Sequence, residues 1–171
     1  SERPGWLRLH GSSVGPGDMA SLAFVGRRQS DLGFRATASL EFQPDREGDE
    51  AGLTLRMNER HRIEAFATRV GPERRFQARR TVGSLQKIDF DVQIASDGPL
   101  ILSFEATDAH YKASVRDAKG TEHTHGDMET RHLATELAGG FTGVYVGMYA
   151  TGNGRSAIAP ADFDWFEYVP T

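Results

Sequence analysis

Apolar and polar residues alternate along much of the chain, which is the pattern of β-strands that bury one face in a core. Residues 34–42 read FRATASLEF, and every second residue from Phe34 to Phe42 is apolar. Residues 100–106 read LILSFEA and repeat this scheme from Leu100 onward. We predict a strand in each segment, with the alternating apolar side chains facing the core.

A third alternating segment lies near the C-terminus, where residues 162–169 read DFDWFEYV. A period of two places Phe163, Trp165 and Val169 on one face of a strand. The other face carries Asp162, Asp164, Phe166 and Tyr168. We expect Trp165 to be a core residue, because it is in phase with Phe163 and large aromatic side chains dominate buried area.

Residues 139–154 read GGFTGVYVGMYATGNG and join a glycine-rich turn to a strand. The strand is predicted to pack on both faces, because two sets of largely apolar or aromatic residues alternate in it. These sets are Val144, Val146 and Met148, and Tyr145, Gly147 and Tyr149. The turn before it holds one large aromatic residue, Phe141, between three glycines.

Turns rich in Gly, Pro and Asp separate about a dozen such segments. The best helical candidate, METRHLATELAGG at 128–140, is short and ends at glycines. This pattern predicts an all-β fold, a two-sheet antiparallel β-sandwich of the jelly-roll type. Without an internal repeat, low-complexity run or linker, residues 1–171 are predicted to form a single domain.

The composition narrows the classes of function. The chain has 171 residues, of which 38% are hydrophobic, and this suits one sizeable core. A net charge of −4 and a pI near 5.9 argue against nucleic acid or an acidic membrane as a partner. The absence of cysteine excludes disulfides, thiolate metal ligands and a cysteine nucleophile.

The ends of the chain and its apolar runs bear on location. We expect neither a signal peptide nor a membrane span, because the sequence shows no N-terminal apolar region and no run of eighteen apolar residues. The chain starts at Ser1 without an initiator methionine, so we expect a processed product or a piece of a longer protein. The sequence is compatible with a cytoplasmic, a periplasmic or a secreted bacterial protein.

Two glycine-containing motifs have the spacing of catalytic or cofactor sites. GSSVG at 11–15 fits the G-x-S-x-G nucleophile elbow, with Ser13 in the middle. The elbow needs a helix after the serine, whereas Pro16 and Gly17 follow here, so a loop is favoured. GNGRSA at 152–157 resembles a dinucleotide fingerprint but leads into a strand, so we interpret its Asn-Gly pair as a hairpin turn.

Two polar clusters could bind a metal ion. EHTHGD at 122–127 places His123 and His125 on the same side of a strand, where two imidazoles can share a metal, but the polar surroundings favour an exposed hairpin. DREGDE at 45–50 gathers four carboxylates without the EF-hand ligand order, so a solvated turn is favoured. We predict no catalytic residue, no metal ligand and no cofactor, with a structural calcium left open.

Five segments together resemble the C-terminal concanavalin A-like sandwich of family 43 glycoside hydrolases, the β-xylosidase and α-L-arabinofuranosidase group. The segments are RPGWLRLHG, FVGRRQ, FQPDREGDEAGL, GGFTGVYVGMYATGNG and ADFDWFEYVP. The resemblance runs from about Arg3 to Pro170, whereas the glycine-rich segment 10–20 departs from the longer members. It implies a concanavalin A-like fold and an accessory role in xylan or hemicellulose degradation. The family's catalytic domain is a five-bladed β-propeller whose two Asp and one Glu carry out inverting hydrolysis, and that propeller is not in this sequence.

The resemblance also implies partners and a site. In family members with two domains, a loop of the sandwich lends an aromatic side chain to the mouth of the propeller's pocket. The Phe-Thr-Gly motif of that loop matches Phe141, Thr142 and Gly143. The implied partners are the catalytic β-propeller and an oligosaccharide substrate. Two alternatives stay open: Phe141 folds back onto its own sandwich, or the chain is an independent carbohydrate-binding, lectin-like module.

Overall fold

The computed structural model describes residues 2–140, 143–156 and 159–171, which form two layers of β-strands. Twelve strands are present in this part of the chain. In order they are β1 (Leu7–Leu9), β2 (Ala23–Arg28), β3 (Phe34–Glu41), β4 (Glu50–Asn58), β5 (His61–Val70), β6 (Glu73–Val82), β7 (Leu85–Gln93), β8 (Leu100–Ala106), β9 (His110–Arg116), β10 (Glu122–Glu129), β11 (Tyr145–Thr151) and β12 (Ala161–Pro170). A 3-10 helix at Thr130–Leu133 and a one-turn helix α1 at Thr135–Ala138 lie between β10 and β11. No helix in the described ranges is long and apolar enough to cross a membrane.

The strands form two sheets of six. Sheet A has the order β1-β12-β3-β8-β9-β10, and sheet B has the order β2-β11-β4-β5-β6-β7. Neighbouring strands are antiparallel in both sheets. The prediction of an all-β, two-sheet antiparallel sandwich is confirmed, and the short helical segment lies within the predicted residues 128–140.

The core lies between the sheets and consists of the side chains that the alternation points inward. On β3 and β8, the alternate apolar residues that begin at Phe34 and at Leu100 are all buried, whereas Ile101 and Glu105 are partly exposed. Each fully buried Leu or Phe stabilises the fold by roughly 1.5–3 kcal/mol relative to an exposed one. The predictions for both strands are therefore confirmed.

Strand β12 departs from the predicted alternation. A β-bulge between Phe163 and Trp165 interrupts the register with β3, which runs Phe163–Leu40 and then Trp165–Ser39. Phe163 stays in the core, but Trp165 is turned to the outer face of sheet A and is 42% exposed. The prediction that Trp165 is a core residue is wrong, because Asp164 is an inserted residue that shifts the period by one.

The bulge reverses the phase of the rest of β12. Phe166 and Tyr168, predicted on the outer face, pack against the core. The Tyr168 ring stacks on Phe34 with the ring centroids 4.9 Å apart. Val169, predicted inside, is 43% exposed. The predicted faces are correct before the bulge and inverted after it.

Strand β11 lies between β2 and β4, and both of its faces are covered. Val146 and Met148 belong to the core, and Tyr149 on the opposite face is fully buried. The prediction of a strand packed on two faces is confirmed. Gly147 is required by close approach, since a Cβ there would lie 2.3 Å from the carbonyl oxygen of Val25.

Candidate functional site

An open cleft of about 550 Å³ lies at the end of the sandwich where the chain enters β11. Four segments that are distant in sequence form its walls: the β2–β3 connection, the β8–β9 turn, the segment with the 3-10 helix and α1, and residues 143–144. Its lining mixes apolar side chains, such as Leu32 and Leu133, with polar ones, such as Asp31 and Thr130. Such a mixed, concave surface suits binding or docking.

Gly143 lies at this cleft and is the one predicted pocket residue that the structure describes. Its φ of 75° is in the left-handed region, where glycine is favoured. Gly139 and Gly140 have φ angles of 72° and 82°, so glycines with left-handed backbones bracket the Phe-Thr pair. Phe141 and Thr142 themselves lie outside the described residues, and their role in a pocket stays a prediction.

The chain is fixed directly after Gly143. The backbone N–H of Gln29 donates to the carbonyl oxygen of Val144 at 2.8 Å, which ties the entry of β11 to the β2–β3 connection. The Tyr111 hydroxyl donates to Oε1 of Gln29 at 3.3 Å. Burial raises the pKa of Tyr111 to about 12, so this hydroxyl keeps its proton at neutral pH. In one wall of the cleft, these hydrogen bonds connect the entry of β11, the β2–β3 connection and β9.

Asp31 completes this wall. Its carboxylate accepts hydrogen bonds from the hydroxyl of Ser30 at 2.6 Å and from that of Tyr168 at 3.2 Å. The Arg27 guanidinium lies 4.0 Å from the centroid of the Tyr168 ring on the side of β2. Asp31 thus orders the β2–β3 connection through neutral hydroxyl donors.

The opposite wall is anchored by side chains that bond to backbone. The Thr130 hydroxyl donates to the carbonyl oxygen of Asp108 at 2.8 Å. Asn58 Nδ2 donates to the carbonyl oxygen of Ala138 at 3.0 Å, which caps the end of α1. Leu133 is buried below the 3-10 helix. The short helices are therefore attached to both sheets.

Two apolar side chains beside the cleft are exposed to solvent. Leu32 on its rim is 76% exposed, and Leu137 on α1 is 51% exposed. Large apolar side chains on an anchored backbone are typical of a surface that packs against a partner. The cleft end is accordingly better suited to packing than to acid–base chemistry.

Sequence reasoning missed a buried charge network on the outer face of sheet B. The sheet B network consists of Glu50, Arg62, Glu64, Arg79 and Tyr149, none of which is more than 8% exposed. Arg79 binds Glu50 with two hydrogen bonds of 2.7 and 2.9 Å and reaches Glu64 at 3.3 Å. Arg62 Nε lies 2.5 Å from Glu64, and the Tyr149 hydroxyl donates to Glu50 at 3.2 Å.

Two members of the network, Arg79 and Tyr149, have raised pKa values. Burial disfavours the Arg79 cation, but the carboxylates of Glu64 and Glu50 outweigh that effect and raise its pKa. Burial, together with the charge of Glu50, raises the pKa of Tyr149 well above its ordinary value. Two guanidinium groups therefore face two carboxylates, and the Tyr149 hydroxyl serves as a neutral donor.

The segment 12–18 lies against this face of sheet B. Arg56 donates to the carbonyl oxygen of Pro16 at 2.7 Å, and a Cβ at Gly17 would lie 3.3 Å from the Arg62 guanidinium. The only sequence signal for the network is the alternation of charged and apolar residues in β5, which usually indicates a solvent face. The covering segment precedes the strand by more than forty residues, so the alternation alone could not reveal it.

The loop at Ser13 and the Asn-Gly turn lie side by side. No helix follows Ser13, so the interpretation of GSSVG as a loop is confirmed. Asn153 and Gly154 have φ angles of 46° and 92°, and the Gly154 N–H donates to the Ser13 carbonyl oxygen at 2.8 Å. The prediction of a hairpin is wrong, because β11 and β12 belong to different sheets. Asn-Gly specifies a tight turn but not the sheet that the next strand joins.

The histidine pair lies on a hairpin, as expected, but its side chains are half-buried. His123 and His125 are opposite Val115 and Ala113, which face the core. The His125 ring stacks on Phe90 of β7 with centroids 5.5 Å apart, so the expected exposed position is wrong for this ring. In the described ranges, no group of three or more His, Asp, Glu or Cys side chains is arranged to hold a metal.

The acidic turn at 45–50 is only half solvated. Asp49 is fully buried and accepts a hydrogen bond from the backbone N–H of Arg46 at 3.2 Å. Glu47 is exposed and accepts from the backbone N–H of Gly71 at 2.7 Å. The expectation of a solvated turn is thus wrong for its second half, and a structural calcium stays a prediction.

Asp162 serves as an anchor for the N-terminal strand. Its carboxylate binds Arg8 at 2.7 and 2.9 Å and Arg3 at 2.8 Å. The hydrogen bonds from Arg8, and then those from Arg3, hold its pKa below the ordinary value. Its position on the outer face of sheet A is the predicted one.

The comparison with known families decides the identity of the fold. The model described as the β-xylosidase C-terminal concanavalin A-like domain matches residues 1–169. The chain belongs to this family. The concanavalin A-like sandwich expected from the sequence is thereby confirmed, as is the relation to family 43 glycoside hydrolases.

Two similar curated proteins are much longer than this chain. The non-reducing end alpha-L-arabinofuranosidase BoGH43B of Bacteroides ovatus is 35% identical over 168 residues, which are 98% of this chain and 32% of that protein. A xylosidase/arabinosidase of Butyrivibrio fibrisolvens is 26% identical over 170 residues, with 97% and 32% covered. The chain thus spans about a third of the length of these relatives.

Solved structures agree with this assignment. The Bacteroides ovatus xyloglucan PUL GH43B superposes with a TM-score of 0.93 at 35% identity, covering 100% of this chain and 34% of that one. The GH43 protein BlXynB from Bacillus licheniformis superposes with a TM-score of 0.92 at 26% identity, covering 99% and 34%. The concanavalin A-like domain is therefore about a third of each of these structures as well.

Proposed function

We propose that this chain is the accessory domain of a xylosidase- or arabinofuranosidase-type glycoside hydrolase and packs against the catalytic domain of the same polypeptide. The observation that carries the proposal is the family match over residues 1–169, in a chain that spans only a third of its relatives. The cleft end, with Leu32 and Leu137 exposed beside it, is the docking surface.

In this proposal the segment Phe141, Thr142 and Gly143 completes the substrate pocket of the catalytic domain. The left-handed glycines on either side allow a close approach of backbone to a partner surface. The hydrogen bond between Gln29 and Val144 fixes the backbone directly after this segment. A phenylalanine side chain offers apolar area at small cost in conformational entropy.

The chemical work is divided between the two domains. Hydrolysis of xylosyl or arabinofuranosyl ends needs a general acid and a general base on opposite sides of the sugar, and the catalytic domain supplies both. The accessory domain narrows the pocket and orients the leaving part of an oligosaccharide by packing. The isolated chain should accordingly release no sugar from aryl xylosides or arabinofuranosides.

The test is Phe141→Ala in the full-length enzyme, with steady-state kinetics on xylobiose. Losing an apolar contact of roughly 1–3 kcal/mol should lower kcat/KM while the fold is unchanged. A contact that forms equally in ground and transition states changes KM, whereas one that orients the leaving sugar changes kcat.

Val70→Ala is the matched control. Val70 is also an exposed apolar residue. Strand β5 begins with His61 at the cleft end and finishes with Val70, about 30 Å away at the opposite end of the sandwich. We expect wild-type kinetics for it. Unchanged kcat and KM in the Phe141→Ala enzyme would refute the role of this residue in the pocket.

A further inference from the structure

The outer faces of the two sheets differ in how they are covered. On sheet B the outer residues Glu64 and Phe66 are at most 1% exposed. On sheet A the outer face is open, and Trp165 is 42% exposed there. Sheet A therefore offers a free surface, separate from the cleft, that the proposed packing does not use.

The exposure of Trp165 is produced by the backbone. The bulge in β12 moves Trp165 from the core phase to the outer phase, opposite Ser39 of β3. Bulges commonly re-aim a side chain at a functional position. An outward tryptophan presents a flat apolar ring with one N–H donor at its edge.

A row of hydroxyl side chains crosses the same face diagonally from Trp165, since Trp165 is opposite Ser39 and the row begins two residues away at Thr37, opposite Glu167. Thr37, Ser103, Ser114 and Thr124 are register partners on β3, β8, β9 and β10. Strand spacing makes the row roughly 14 Å long. All four residues are at least partly exposed, and the Ser103 and Ser114 hydroxyl oxygens lie 2.6 Å apart. Each of these hydroxyls can both donate and accept a hydrogen bond, and none carries a charge.

The end of this face carries two basic residues, Arg35 and Lys112, and two acidic ones, Glu105 and Glu167. Glu105 lies 2.8 Å from Arg35 on one side and 2.8 Å from Lys112 on the other. Hydrogen bonds from Lys112, with the charge of Arg35 added, lower the pKa of Glu105, so the carboxylate stays ionised at neutral pH. An uncharged ligand rich in hydroxyl groups therefore fits this face better than an anion does.

A protein partner fits this face less well. Trp165 and Val169, its large exposed apolar residues, are separated by Glu167 on the same face of β12. The core of a protein interface is instead a contiguous apolar patch depleted in charge. One aromatic ring beside a row of hydroxyls matches a sugar, whose ring presents C–H groups on one face and hydroxyls around its edge.

We propose that the outer face of sheet A binds a neutral pentose oligosaccharide, with one sugar ring stacked on Trp165 and the next rings on the hydroxyl row. The proposal depends on the proposed function in one respect, which is the choice of a pentose as the sugar. The surface would hold a chain of the polysaccharide near the enzyme without taking part in hydrolysis.

The two tryptophans of the chain allow a direct test. Arg3 lies 3.5 Å from the centroid of the Trp6 ring, so one face of that indole is covered. In a Trp6→Phe variant of this chain, Trp165 is the sole indole. Titration with xylohexaose and with arabinohexaose should give a saturable change in its fluorescence.

Calorimetric titration of matched variants then separates stacking from general contact. Trp165→Ala should weaken binding at least about tenfold, and Trp165→Phe should retain part of it. Val169→Ala, on the same face with the same exposure, should bind like the parent chain. Urea unfolding should show that the Trp165→Ala chain stays folded, since its side chain is outside the core.

Three outcomes would overturn the proposal. They are no saturable response to either oligosaccharide, equal losses in the Trp165→Ala and Val169→Ala chains, and binding that Trp165→Ala leaves unchanged. Because this assay uses the isolated chain and the Phe141 test uses the turnover of the full-length enzyme, failure of one is distinguishable from failure of the other.

Discussion

Replacing Arg79 with methionine would remove the central cation of the sheet B network. Arg79 makes two hydrogen bonds to Glu50 and one to Glu64, and its guanidinium lies 4.7 Å from the centroid of the Phe66 ring. Methionine keeps most of the side-chain volume, so the change leaves little cavity. What remains is two carboxylates with the charge of Arg62 alone to balance them.

The expected loss of stability is large. Glu50 and Glu64 are 5% and 0% exposed, so water cannot replace the lost partner. Breaking a buried ion pair on one side costs about 3–5 kcal/mol. For a chain of this length, each kcal/mol corresponds to roughly 2–4 °C in Tm, so Tm should fall by about 6–20 °C.

Urea unfolding of the isolated chain measures this loss. Arg75→Met is the matched control, since Arg75 lies on the same strand and pairs with Asp91 at 2.7 Å, but on the surface. It should lose less than about 1 kcal/mol. A double variant, Arg79→Met with Glu50→Gln, keeps the Arg62–Glu64 pair and should recover much of the lost stability. A loss for Arg79→Met no larger than the control's, or a double variant as unstable as the single one, would refute the reasoning.

Two further predictions concern packing and pH. Gly52→Ala should destabilise the fold by roughly 1–3 kcal/mol or more, because its Cβ would lie 2.2 Å from the Ala65 carbonyl oxygen, and urea unfolding at neutral pH checks this. In the parent chain, ionised Asp162 contributes stability that is fully present above about pH 4, the pKa of an unfolded aspartate, and is lost as the pH falls through its lowered folded pKa. Asp162→Asn should remove this contribution. Stability curves of parent and variant between pH 2 and 7 should therefore converge at the acid end, and a constant difference would contradict this.

The sequence was a good guide to the fold wherever one strand packs one face on the core. The alternation in β3, beginning at Phe34, translates directly into buried and exposed side chains. It failed in β12, where one inserted residue, Asp164, exchanged the faces of Trp165 and Tyr168. The position of a bulge cannot be located from a period-2 pattern, because the inserted residue is recognised only when the pairing with the neighbouring strand is known.

The candidate site was less predictable than the fold. The left-handed backbone at Gly143 could be anticipated, since glycine is the residue that tolerates it. The cleft could not, because it is assembled from four segments between Gln29 and Val144 that only tertiary structure brings together. The sheet B network was hidden for a similar reason, since the covering residues are remote from the strands they cover.

The strand order of the two sheets has a consequence for how the protein is made. In sheet B, β2 and β4 flank a slot that β11 fills, and in sheet A, β1 and β3 flank the place of β12. A nascent chain that has reached residue 144 therefore carries two incomplete sheets, each with facing unpaired edges. Contacts between residues so distant in sequence form slowly, and open edges are prone to join other chains in the meantime. Residues 145–171 complete both sheets, and a ribosome that stalls before them should yield a product that chaperones bind and proteases degrade.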